Sequence, residues 1–258
     1  MKRNAIIESE FSVLENAIVD YGNVVTFSQL QQLFHKNIAY TRKRVSRLVD
    51  QGWLTRVKKG VFVISDLSTR GQLSISHQAI VNILVEEAYI SFEAALQHHG
   101  LYDQLLKSIQ SISLKRFHST EIDSLEYKFI YSQERYFYGW ETYTIDNQAV
   151  KIASIEKALI DLIQFHRTRY STDLVLEKLS TFQDEVDITK LIDYILKSNL
   201  VTKRIFGFLL DCLKIDSNRI LETVFDKRSV SSISNSNNNL YNNKWKLYYD
   251  QHFKKYTH

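Results

Sequence analysis

Residues 26–64 constrain the fold more than any other stretch of this chain. They read V-T-F-S-Q-L-Q-Q-L-F around Thr26, then N-I-A-Y-T-R-K-R-V-S-R-L-V-D-Q-G, then W-L-T-R-V-K-K-G-V-F-V-I. Thr26 and Gln29 form the T-x-x-Q pattern of a capping box, in which each side chain satisfies a free N–H at a helix start. Val25 and Leu30 flank it at the positions of a hydrophobic staple. In the next helix Ile38, Thr41, Val45, Leu48 and Val49 recur at helical spacing and predict an apolar face. Gly52 suits the left-handed residue that ends a helix. Lys58-Lys59-Gly60 joins two β-rich runs as a hairpin loop with Gly60 in its left-handed position. Two short helices followed by a hairpin, in this order, predict a winged helix-turn-helix.

The same segment gathers the positive charge. Lys36, Arg42, Lys43, Arg44, Arg47, Arg56, Lys58 and Lys59 stand against the single acid Asp50. Across residues 1–70, 11 Lys/Arg face 6 Asp/Glu, a net of +5; residues 71–258 hold the remaining 22 and 23, a net of −1. Basicity confined to one small domain is the electrostatic footprint of a duplex DNA reader. The expected contacts are Tyr40, Thr41, Lys43, Arg44 and Arg47 on the helix and Arg56, Lys58 and Lys59 on the hairpin. Tyr40, Lys43 and Arg44 lie early on that helix, where base edges in a major groove are reached.

Ile7, Phe11, Leu14, Ile18 and Tyr21 predict a first helix ending at Gly22. Residues 65–74 are polar and turn-rich and are the expected linker; a helix is expected across His77 to Glu87. The division expected is 1–70 as the winged helix-turn-helix and 75–258 as a mixed α/β domain. Ser91 is expected to cap a short helix ended by Gly100. Aromatic and β-branched runs between Ile109 and Lys151 predict strands. Ser154 is expected to cap a helix with Ile155, Ala158, Leu159, Leu162 and Ile163 on one side, and further helices follow to about residue 225. Residues 229–243, almost all Ser and Asn, predict a solvated loop, and alternation of Trp245, Leu247 and Tyr249 predicts a closing strand. The class is therefore α+β.

Other functions lose ground. One cysteine, Cys212, in a helix-core setting excludes an internal disulfide and fits a reducing cytoplasm. The first residues lack the apolar core of a secretory signal, and no run is long enough to span a bilayer, so no membrane partner is expected. With 7 glycines there is no phosphate-cradling or dinucleotide loop, so no cofactor is expected. Adjacent His98 and His99 point about 100° apart on a helix and make no metal pair. Glu156 and Asp161 read as surface and capping charges, and no catalytic set emerges. The aromatic stretch 127–143 reads as sheet core or a protein-binding face. The absence of proline, with abundant Asn, Lys, Ile, Tyr and Phe, points to an AT-rich bacterial genome.

Two segments carry a family likeness. Y-I-S-F-E-A-A-L-Q-H-H-G-L (89–101) resembles the Y-[VI]-S-x-x-[SA]-A-L-x-x-[HY]-G-L signature of AbiEi-type antitoxins of type IV toxin–antitoxin systems. I-A-S-I-E-K-A-L-I-D-L-I (152–163) resembles that family's V-A-x-P-E-[KR]-A-L-[LI]-D-L stretch, with Ile155 where the family usually has proline, and N-K-W-K-L resembles its terminal strand. The resemblance implies a winged helix that binds inverted repeats in double-stranded promoter DNA and represses its own operon. It also implies a C-terminal domain that antagonises a co-encoded nucleotidyltransferase-like toxin. The family's basic surface maps to Tyr40, Lys43, Arg44, Arg47, Lys58 and Lys59. The alternative is a winged-helix transcription factor whose second domain senses a small ligand.

Overall fold

A computed structural model describes residues 8–66, 72–233 and 239–256. In chain order the elements are α1 (Glu8–Tyr21), β1 (Val24–Thr26), α2 (Phe27–Phe34), α3 (Ile38–Asp50), β2 (Leu54–Lys58), β3 (Val61–Ile64), α4 (His77–Leu84), β4 (Ala88–Ile90) and α5 (Phe92–His98). Then come β5 (Ser108–Ser113), β6 (Thr120–Ile122), β7 (Leu125–Tyr131), β8 (Trp140–Ile145), β9 (Gln148–Ala153), α6 (Ile155–His166) and α7 (Arg169–Thr181). The rest are α8 (Ile188–Lys197), α9 (Leu200–Cys212), α10 (Asn218–Val224), β10 (Ser231–Ser232), β11 (Asn239–Asn242) and β12 (Leu247–Asp250). Packing groups the described residues up to Glu86 with 119–127 and 143–150 as one unit; 87–118, 128–142 and the described residues from 151 onward form another.

In the first unit α1, α2 and α3 pack beside a small sheet ordered β1-β3-β2, the winged helix-turn-helix arrangement. The capping box is formed: Thr26 accepts from the Gln29 N–H, and Gln29 reaches back to the Thr26 N–H. Helix α3 ends in a Schellman motif, with Trp53 N–H on the Leu48 carbonyl, Gly52 N–H on that of Val49, and Gly52 at φ +80°. Leu14, Val25, Leu30, Val45, Leu48, Trp53 and Phe62 form the core. Within the stretch read as a linker, Ser65 bridges to Leu73, while 67–71, like Ile7 of the first stripe, lie outside the described residues. Helix α4 belongs with this unit, because the units follow packing whereas the break after residue 70 follows charge.

In the second unit β4 pairs antiparallel with β5 and, through Ile90 and Ile152, parallel with β9. Helix α6 packs against α5, α7, α8 and α9, and burial extends right around it from Glu156 to Ile163. This corrects the reading of Glu156 and Asp161 as surface charges: they are 4% and 0% exposed. Both are matched. Ser154 and Lys190 contact one Glu156 oxygen at 2.8 and 3.0 Å, and the Asp187 N–H donates to the other. Asp161 pairs with the buried Lys157 and accepts from Ser91 Oγ at 2.7 Å and the Tyr89 hydroxyl at 3.0 Å. Burial pushes the Asp161 carboxyl above the usual carboxylate range, against the pull of Lys157 and those hydroxyls. Ser91 is therefore committed to Asp161 and makes no side-chain cap on α5, contrary to expectation.

In the aromatic stretch Tyr127 is fully buried, Tyr131 is exposed and the other rings are half-buried. Phe137 and Trp140 pack on Tyr89, and Tyr138 meets Tyr194. Within the stretch read as a Ser/Asn loop, β10 and β11 pair on either side of β12, and 234–238 lie outside the described residues. Trp245 is fully buried, and its indole N–H donates to Asp211 at 2.7 Å.

That anchored indole decides what an alanine at Gly207 would do. Helix propensity favours Ala over Gly by about 1 kcal/mol. A Cβ at Gly207, however, would stand 2.2 Å from Cη2 of Trp245. Overpacking of that kind costs about 1–3 kcal/mol. Gly207→Ala should lower the urea midpoint despite the helical gain; an unchanged or raised midpoint would refute the packing. Lys157→Met leaves Asp161 buried without its cation and should destabilise by about 3–5 kcal/mol. The double change Lys157→Met/Asp161→Leu should recover much of that loss in the same titration.

Candidate nucleic-acid interface

The interface begins at the turn between α2 and α3. His35 takes a left-handed conformation, φ +50°, to close α2. Asn37 then caps α3, its side-chain Oδ1 accepting from the Tyr40 N–H at 2.9 Å. Residues 35–40 are exposed throughout, so the first turn of α3 projects from the unit. Ile38 is 50% exposed and belongs to this projecting turn rather than to the apolar face expected of it. The exposed turn, not the whole helix, is what a groove would meet.

The expected contacts divide when placed on this frame. Lys43 is fully on the outer face, with Arg42 beside it, and Tyr40 is 38% exposed. Lys58 closes the paired part of the wing, and Lys59 and Gly60 form its turn, with Gly60 at φ +75°. Both lysines are exposed, as is Arg56, whose guanidinium lies 5.5 Å from the ring centre of Phe62. Among the described residues no carboxylate within salt-bridge distance faces Lys43, Lys58 or Lys59, so their charge is turned outward. Arg47 is half-buried on the last full turn of α3, away from the projecting end.

Two of the expected contacts require correction. Thr41 is 0% exposed, and its hydroxyl donates to the Asn37 carbonyl at 3.1 Å. It lies on the core face at i−4 from Val45, so it cannot reach a ligand. Arg44 is not an open cation either. Its Nη1 pairs with Glu10 of α1 at 2.8 Å, and its Nε donates to the Tyr40 hydroxyl at 3.1 Å. The hydrogen bond with Tyr40 and the Glu10 carboxylate hold its pKa above the ordinary arginine value, outweighing partial desolvation. The sequence reading missed Glu10 altogether. The signal was present: Glu10 stands among Phe11 and Leu14 on the inward side of α1, where an acid needs a buried partner.

No other centre competes. Among the described residues no group of three His, Cys, Asp or Glu is placed to hold a metal ion. His99 Nε2 lies 2.8 Å from the Ala153 carbonyl, and burial lowers the His98 pKa. Burial likewise pushes the Cys212 thiol up to about 12, which leaves it a packing residue rather than a nucleophile. No helix among the described residues is long and apolar enough to cross a membrane.

Element order places the first unit among winged helix-turn-helix folds, with an exposed first turn on α3 and outward cations on α3 and the wing. Residues 13–65, nearly all of that motif, match the family model described as "Transcriptional regulator, AbiEi antitoxin". The likeness to AbiEi-type antitoxins carried by residues 89–101 and 152–163 thus has independent support in the first unit. At the level of fold the chain is similar to the crystal structure of the RV2827C protein from Mycobacterium tuberculosis. The two are 14% identical with a TM-score of 0.66, covering 96% of this chain and 93% of that one. Comparison with curated proteins finds no match.

If the wing and the recognition helix meet phosphates as placed, their lysines act as charge alone. Lys43→Ala and Lys58→Ala in the full chain should each weaken every duplex alike and reduce the slope of log affinity against log salt by about 0.9. Fluorescence anisotropy at a series of salt concentrations reads this directly. A slope unchanged in both variants would remove them from the interface.

Proposed function

We propose that this chain is the antitoxin and autorepressor of a type IV toxin–antitoxin, abortive-infection operon. Its winged helix binds inverted-repeat promoter DNA, and its second unit antagonises a nucleotidyltransferase-like toxin encoded beside it. The observation that carries the reading is the coincidence, over one segment, of the family match at 13–65 with a projecting, outward-charged helix start and wing. The proposed contacts are Tyr40, Lys43, Lys58 and Lys59, with Arg47 and Arg56 at the margins. The protein acts by binding, not by catalysis, in the bacterial cytoplasm.

A ligand-sensing regulator would need a receptive cavity in the second unit. At one cavity of about 410 Å³, beside Tyr102 and Tyr170, most of the charges pair among themselves. Arg169 meets Asp173, and Lys178 meets Glu177. A small-ligand site ordinarily presents a few convergent polar groups against an apolar wall.

The two activities should separate. In the full chain, Lys43→Ala/Lys58→Ala/Lys59→Ala removes outward charge without touching the core. With toxin and antitoxin genes driven from an unrelated promoter, this variant should protect cells as the wild type does. On its own promoter it should fail to repress a reporter. Loss of protection with retained folding would tie antagonism to DNA binding, and failure of the wild-type chain to protect would leave a repressor without an antitoxin role.

A further inference from the structure

Arg44 offers an arrangement that the DNA reading alone does not require. An arginine on the exposed side of a recognition helix ordinarily serves as a reader or as a phosphate contact. Here its two ends are spoken for within the protein. Nη1 is held by Glu10, which is 1% exposed, and Nε donates to the phenol oxygen of Tyr40. The guanidinium carbon also stands 5.0 Å from the centre of the Tyr40 ring, whose edge meets Phe34 of α2. Three helices thereby restrain one side chain: α1 through Glu10, α2 through Phe34 and α3 through Arg44.

The direction of the hydrogen bond gives this restraint its chemical content. A guanidinium has donors only, so the Tyr40 oxygen must accept, and the phenol hydrogen is left to donate elsewhere. Tyr40 sits on the first turn of α3, the part that projects. We propose that Glu10, Arg44 and Tyr40 form a positioning relay that aims the Tyr40 hydroxyl as a donor at a base-edge acceptor in the major groove. The acceptor is a purine N7 or the keto oxygen of guanine or thymine, the groups that the groove presents to donors. Arg44 and Glu10 are positioning residues, and Tyr40 alone touches the base. This rests on the DNA-binding reading and specifies which residue reads.

A second consequence concerns charge. Glu10 neutralises Arg44 while holding it against the protein. Release of Arg44 from Glu10 would turn a positioning group into a mobile cation within reach of the backbone. The relay therefore trades one phosphate contact for selectivity, so loss of Glu10 should raise binding to indifferent DNA while lowering discrimination. A merely structural role for Glu10 predicts the opposite: looser folding and weaker binding everywhere.

The test uses the full chain and the duplex it selects from a random double-stranded pool, measured against a scrambled duplex of equal length. For Glu10→Gln, the ratio of the two affinities should fall about tenfold, within the range for one lost base contact. Scrambled-duplex affinity should rise, and its salt slope should steepen by about 0.9, one added phosphate. Tyr40→Phe should lose the same ratio with no change in slope. Arg44→Lys, whose single ammonium cannot span both partners, should lose the same ratio without the steeper slope, because Glu10 still neutralises it, and it serves if Glu10→Gln fails to fold. A preserved ratio in folded Glu10→Gln or Arg44→Lys overturns the relay while leaving DNA binding intact. A wild-type chain that selects no duplex overturns the relay and the DNA reading together.

Discussion

A lysine and an aspartate, one helical turn apart, share a fully buried position in the second unit, and much around them is arranged to make that tolerable. Two charges removed from water repay their desolvation only when the remaining hydrogen-bonding capacity is filled. Asp161 achieves this with Ser91 and Tyr89, residues from the strand and turn that precede α5. Lys157 lies 4.9 and 5.6 Å from the ring centres of Tyr138 and Tyr89, which offer it aromatic faces. The pair therefore ties α6 to β4, to the start of α5 and to the irregular segment at Tyr138 that precedes β8. Glu156, one residue earlier, does the same for α8 by accepting from the Asp187 N–H at that helix's start.

This accounts for the character of the two family-like segments. Y-I-S (89–91) and E-K-A-L-I-D (156–161) are the two halves of one buried polar contact, with Tyr89 and Ser91 on one side and Lys157 and Asp161 on the other. Neither half makes physical sense alone, because a buried aspartate without its donors or its lysine bears an uncompensated desolvation cost. Their role is to specify how the sheet and α6 meet. Their polar atoms are spent on one another, away from solvent.

Elements marked by local chemistry were legible in the sequence. The Thr26/Gln29 box, the Ser154 cap and Gly52 announce boundaries within a few residues of themselves, and the structure places helix ends there. Of the alternation Trp245, Leu247, Tyr249, the last two form the buried face of β12, while Trp245 lies buried in the turn before it. What escaped depends on tertiary partners. Glu156 and Asp161 look like ordinary helix-surface acids until α8 and β4 are known to cover them. Ser91 carries every mark of an N-cap, yet the stronger charged acceptor takes its hydroxyl. Ile38 follows the apolar period of α3 but falls on the turn that overhangs the core. Asn239–Asn242 reads as loop by composition and becomes a strand because β12 supplies its hydrogen bonds.

The same limit applies to the basic surface, where counting cations overstates the number available. Of the helix residues first grouped as contacts, Thr41 serves the core and Arg44 serves Tyr40. Sequence separation hides the second fact: Glu10 and Arg44 are 34 positions apart, and only the packing of α1 across α3 brings them within 2.8 Å. Net charge still measures the attraction of the unit for a polyanion, since Glu10 was counted in it from the start. It cannot say which cations are mobile and which are structural. On the proposed reading, a small domain that attracts a backbone and tells one sequence from another uses both kinds, with exposed lysines at the wing and on the outer face and a fixed donor at the helix start. An arginine anchored to a buried glutamate supplies the second at the expense of the first, which is a reasonable exchange where lysines already provide the attraction.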